Sequence, residues 1–149
     1  MNQFLLSALA FTGGMFLAVQ GGLNAHLGVL LKNPLIASAV AFCSSTIFAV
    51  FILLFSAKNL PGLSEIRAVP IYLWFTGGLF STLGISLYYY TIPKLGVSTM
   101  ISLGLCGQLI FAVVAGHYGW LGLPTEPVTI RRTAGLTLMI SGILLINWK

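Results

Sequence analysis

From Met1 to Leu31 the chain carries no Asp, Glu, Lys or Arg, and Lys32 is its first charged residue. At 1.5 Å per residue a helix of that length reaches about 45 Å, more than the ~30 Å of hydrocarbon in a bilayer. A membrane span is therefore predicted for it. Within the run, FTGGMFLAVQGGLNAHLG places Gln20 and Asn24 one helical turn apart, on a single face. Two stacked amides are poorly matched to lipid, so that face is expected to look at protein or water.

The remaining composition agrees with this environment. A chain that is 58% hydrophobic and 6% charged has too little polar surface to cover a soluble globule. Its net charge of +5 comes from seven basic residues against two acids, a balance suited to anionic lipid headgroups. Nucleic-acid binding would need a basic cluster, and the one adjacent basic pair is Arg131 and Arg132. The amino terminus has no basic n-region and no small-residue cleavage site after a short apolar run, so it is expected to stay as the first span. Cys43 and Cys106 fall inside apolar runs, where a thiol behaves as a small hydrophobe. No disulfide, metal or cofactor is expected.

Charges and prolines cut the chain into five apolar blocks, predicting an all-α, polytopic membrane domain over 1–149. The expected helices cover about 4–31, 34–57, 70–92, 96–118 and 131–148, with every proline at or outside a boundary. Pro34 suits a first helical turn, and Pro93 is expected to halt the third block. Arg131, Arg132 and Lys149 would snorkel to lengthen the short fifth. FTGGMF at 11–16 returns as FTGGLF at 75–80, and IFAV at 47–50 returns at 110–113. These offsets suggest a parallel repeat of helical hairpins, about 1–60 and 65–120, although shared apolar composition also produces such echoes.

Alternating five spans puts Lys32, Lys94 and Lys149 on one side and Lys58, Arg67, Arg131 and Arg132 on the other. So even a division gives almost no positive-inside bias. Insertion in both orientations is expected, with pairing to an inverted copy, unless weaker cues fix one orientation.

VQGGLNAHLG, NPLIASAVAF, FTGGLFSTLG, IPKLGVSTMISLGLCGQLI and GHYGWLGLP follow one another along the chain, and in this ordered series it resembles the YdcZ family of the bacterial drug/metabolite transporter superfamily. The resemblance implies a five-helix inner-membrane protein, half of a ten-helix bundle completed by antiparallel dimerisation with itself or with an inverted partner. The family's first-helix Gln and Asn fall on Gln20 and Asn24, and its Gly-Gln pair on Gly107 and Gln108. One departure is Gly116, where members often carry Asp before the triplet matched by His117, Tyr118 and Gly119. Glu65 and Glu126, the two acids, sit in connections, so the embedded glutamate of small multidrug exporters in that superfamily has no counterpart.

Gln20, Asn24, Gln108, Ser86 and Tyr90 are the expected cavity lining, with interhelical hydrogen bonding as the plainer role for the amides. His26 and His117 are candidates for proton sensing, or else for interfacial hydrogen bonds. Trp74 is most simply an interfacial anchor. Small residues four apart, such as Gly21 and Ala25, mark close helix approach. Thr133, Thr137 and Ser141, with Gly135 and Gly142 on a neighbouring ridge, are the expected dimer-packing face, by superfamily analogy. No nucleophile, base and acid can be assembled from the spans, so no enzyme is expected. Two functions follow: a transporter of an organic solute, its substrate undefined, working as an inverted homodimer in the bilayer; or a non-transporting scaffold or partner subunit of another membrane protein.

Overall fold

The computed structural model describes residues 2–56, 60–122 and 124–148; Lys58 and Lys149, two of the charges weighed above, lie outside them. The described chain is helical, and no strand occurs in it. Helix α1 covers Gln3–Leu30, α2 Pro34–Ser56, α3 Leu63–Ala68, α4 Leu73–Leu95, α5 Val97–Tyr118 and α6 Ile130–Asn147, with a 3-10 turn at Trp120–Gly122. Of these, α1, α2 and α5 are long and apolar enough to cross a membrane. Hydroxyl and tyrosine side chains dilute α4, and α6 opens on two arginines. The chain divides into two compact units, Met1–Lys94 and Leu95–Lys149.

The first unit is built on a tight α1–α2 hairpin. Lys32 takes a left-handed conformation (φ 53°), while Asn33 N–H reaches Gly28 O at 3.0 Å and Lys32 N–H reaches Val29 O at 3.1 Å. These paired bonds close the end of α1 as a Schellman motif. Asn33 also starts α2, its Oδ1 accepting from the N–H groups of Leu35 (2.9 Å) and Ile36 (3.3 Å). Pro34 then occupies the first helical position, where its missing N–H costs nothing. So short a link brings the helices together, with the buried Gly28 at the crossing. A Cβ on Gly28 would lie 3.4 Å from Pro34 Cα and 3.5 Å from Ala37 Cβ.

Gly21, Ala25 and Gly28 of α1 are buried, as are Ala37, Ser38 and Ala41 of α2 and Ser86, Tyr89 and Ile92 of α4. Apart from Tyr89 and Ile92 these side chains are small. Large apolar ones face outward along both hairpin helices, Phe16, Leu23, Phe51 and Leu54 among them. Small residues inside and large ones outside is the packing of a protein solvated by lipid, where close backbone approach replaces the hydrophobic effect between helices.

Helix α4 departs from the expected 70–92 at both ends. Pro70, Ile71 and Tyr72 accept i+3 bonds from Leu73, Trp74 and Phe75, so a tight turn precedes the helix. At the other end Pro93 lies inside it. Near a helix terminus proline removes one hydrogen bond, to the carbonyl four residues back, and the last turn still closes. Gly96, at φ 86°, ends the run in a conformation that only glycine adopts freely. The polar connection before α4 holds the short α3, whose Glu65 accepts from Gly62 N–H at 2.8 Å. This is the return half of a capping box.

In the second unit α5 packs on α6, burying Met100, Ala115 and Ile143. Gly119, left-handed at φ 62°, ends α5. The loop then turns back on the helix end, with Glu126 N–H donating to Gly116 O at 2.8 Å. Thr129 caps α6, its hydroxyl accepting from Arg132 N–H at 3.4 Å.

Candidate functional site

Within the first unit, α1 and α4 bring three polar side chains together. Asn24 Nδ2 donates to Gln20 Oε1 and to Tyr89 Oη, each at 3.0 Å, and the Tyr89 hydroxyl donates to Gln20 Oε1 at 3.2 Å. A second polar contact joins α2 to α4. Ser38 donates to Pro34 O at 2.9 Å, so Ser86 supplies the proton in the 2.9 Å bond between the two hydroxyls. Tyr89, Ser38 and Ser86 are buried, while Gln20 and Asn24 are half-buried.

Their depth follows from helix length. Asn24 lies six residues before Leu30, the end of α1, and Tyr89 six before Leu95, the end of α4. Both stand about 9 Å in from their helix ends, and Gln20 about 15 Å. The Ile92 side chain of α4 reaches toward Gly21, where a Cβ would stand 3.6 Å from Ile92 Cδ1. The cluster is uncharged throughout. Amides and hydroxyls at such depth cost free energy unless paired, and here each hydroxyl is paired while part of each amide is not.

The structure distributes the other expected site residues differently. Tyr90, one residue past the inward tyrosine, is exposed with Lys94 Nζ 3.3 Å from its ring centre, a cation–π contact. Gln108 lies on the exposed side of α5, in the second unit. His26 is exposed on α1, and His117 is exposed at the end of α5, where its Nδ1 faces Val128 N–H at 3.5 Å. Thr133, Thr137 and Ser141 are exposed on α6, and the two threonines donate back to Thr129 O and Thr133 O. Gly135 and Gly142 border shallow grooves between α5 and α6. Cys43 and Cys106 are free thiols, and no metal-ligating group forms among the described residues.

Sequence reasoning missed Tyr89 and Ser38. Spacing from Ser86 could not choose between Tyr89 at i+3 and Tyr90 at i+4, since both share its face. It also missed Asn147, whose Nδ2 donates to Ser102 Oγ at 3.0 Å and to Ile143 O at 2.8 Å.

Comparison with known proteins adds one finding. The family model described as "Putative inner membrane exporter, YdcZ" matches residues 5–145, nearly the whole chain, which therefore belongs to that family and to the inner membrane. No curated protein and no solved structure matches it.

Proposed function

We propose that this member of the YdcZ family is a transporter that carries an organic solute across the inner membrane as an antiparallel homodimer, along a polar crevice lined by Gln20, Asn24 and Tyr89. The observation that carries the reading is this neutral hydrogen-bonded ring, left half-open and held, at ~1.5 Å of rise per helical residue, about 9 Å or more from the ends of α1 and α4. Polar groups inside a membrane protein are costly and mark candidate solute paths; interhelical bonding alone is the competing role for the same amides.

Five helices, α1, α2, α4, α5 and α6, each supply 18 or more residues. In our reading all five span, with Lys94, Arg131 and Arg132 reaching outward at the ends of α4 and α6. Basic residues divided evenly between the two faces leave insertion without a preferred direction, and two opposed copies then make a ten-helix assembly. The exposed Thr133, Thr137 and Ser141 ridge of α6, flanked by Gly135 and Gly142, is the surface we assign to that pairing. Proton exchange on an embedded acid has no group to work with, because Glu65 lies in α3 and Glu126 in the loop before α6.

The test has two arms. Reporters fused at either terminus are expected to signal from both sides of the membrane, and added lysines on one side should lock the orientation; a single native orientation contradicts inverted pairing. In a Cys43→Ser, Cys106→Ser background, Gln20→Cys is expected to react with a membrane-impermeant thiosulfonate. Complete protection from the reagent would favour a sealed scaffold.

A further inference from the structure

We infer that the solute is a neutral molecule presenting a hydrogen-bond acceptor beside a donor, such as a lactam, a ureide or an amide, and not an ion; this rests on the crevice reading above. The argument is a count of hydrogen-bonding groups. Within the ring, both protons of Asn24 Nδ2 are used, on Gln20 Oε1 and on Tyr89 Oη. The Tyr89 proton is used on Gln20 Oε1, which thereby accepts twice. Left over are the Gln20 amide nitrogen with its two protons and the Asn24 carbonyl oxygen. Among the described residues neither is bonded to protein, and neither is sealed away as a buried unpaired atom.

Amide orientation is assigned from the network, but the count does not depend on it. With both amides turned, Gln20 nitrogen donates to Asn24 oxygen and Tyr89 oxygen, and the Tyr89 hydroxyl donates to Asn24. One carbonyl and one NH₂ group are again left over, with their residues exchanged. A closed ring of two amides and one hydroxyl always leaves one donor group and one acceptor.

In donor and acceptor type that remainder complements an amide, which offers one C=O and one N–H. It carries no formal charge, and no charged side chain bonds to any of the three residues. The nearest basic group along α4, Lys94, sits over the ring of outward-facing Tyr90. An ion entering would exchange its hydration shell for two amide dipoles without a counter-charge, a poor exchange in low dielectric. A neutral solute gives up less water and satisfies both groups that the ring leaves open.

The test uses matched pairs that differ in one carboxylate: uracil against orotate, and allantoin against allantoate, radiolabelled, with the full chain in proteoliposomes. Expected is entry of at least one neutral member ten or more times faster than its carboxylate, an advantage lost in Asn24→Leu and in Gln20→Leu. Equal entry of the carboxylates, or no entry of either neutral member, overturns the inference. Asn24→Cys, exposed to an impermeant thiosulfonate, separates the two levels of failure. Labelling without selective uptake means the crevice stands and the solute class is wrong; an inert cysteine means the crevice itself is absent, and the inference falls with it.

Discussion

The two units handle polarity in opposite ways. In Met1–Lys94, Gln20, Asn24 and Tyr89 bond to one another about 9 to 15 Å from the helix ends, and no charge is involved. In Leu95–Lys149 a cross-helix bond joins Asn147 to Ser102, and Asn147 is the last residue of α6. The Arg132–Glu126 ion pair lies on exposed side chains where α6 begins. Tyr118 and Trp120 stack nearby, ring centres 5.7 Å apart, in the manner of an interfacial belt. Polarity at a helix end anchors a protein at the membrane surface at little cost. Polarity at depth is expensive, and in the first unit it is met by mutual bonding of Gln20, Asn24 and Tyr89.

Several substitutions would break or sharpen this contrast, and the largest effect is expected at depth. Asn24→Leu removes both of its donated bonds and should lower solute entry into proteoliposomes by tenfold or more, with the protein still folded. Gly28→Leu should follow, forcing a side chain against Pro34 and Ala37 and costing about 1–3 kcal/mol in denaturation of the detergent-solubilised protein. Tyr89→Phe keeps the ring and deletes one hydroxyl, so about 1 kcal/mol of stability should go, with a change in uptake larger than that figure would suggest. Asn147→Leu in the second unit should cost a similar 1 kcal/mol or less and leave uptake unchanged; an equal loss of uptake would erase the contrast. Glu126→Gln is expected to matter least, within about 0.5 kcal/mol, because exposed ion pairs are screened.

Much of the first unit was legible in the sequence. Gln20 and Asn24 stood out because an uncharged run of that length makes any amide conspicuous, and their i, i+4 spacing placed them on one face. The hairpin was legible at Asn33 and Pro34, a cap followed by a first-turn proline. Two things were not. The end of α4 was read from Pro93 as a barrier, whereas a proline in a final turn forfeits a single bond and Gly96 does the stopping. The inward tyrosine was hidden because three consecutive tyrosines carry no periodicity of their own. Tertiary contact with Asn24 selects Tyr89 among them. Ser38 was hidden for a related reason: a serine that donates to the carbonyl four residues back looks like ordinary helix chemistry until a second helix brings Ser86 to it.

The most direct measurement is the ratio of thiol-labelling rates at two positions, Asn24→Cys in the first unit and Ser102→Cys in the second, in a background lacking Cys43 and Cys106. With an impermeant reagent and the protein in liposomes, position 24 should react at least ten times faster than position 102, because the first belongs to the polar ring of the crevice whereas the second lines a mostly apolar groove between α5 and α6. Equal rates, or a protected position 24, would contradict the claim that the first unit opens a wet, uncharged path into the membrane.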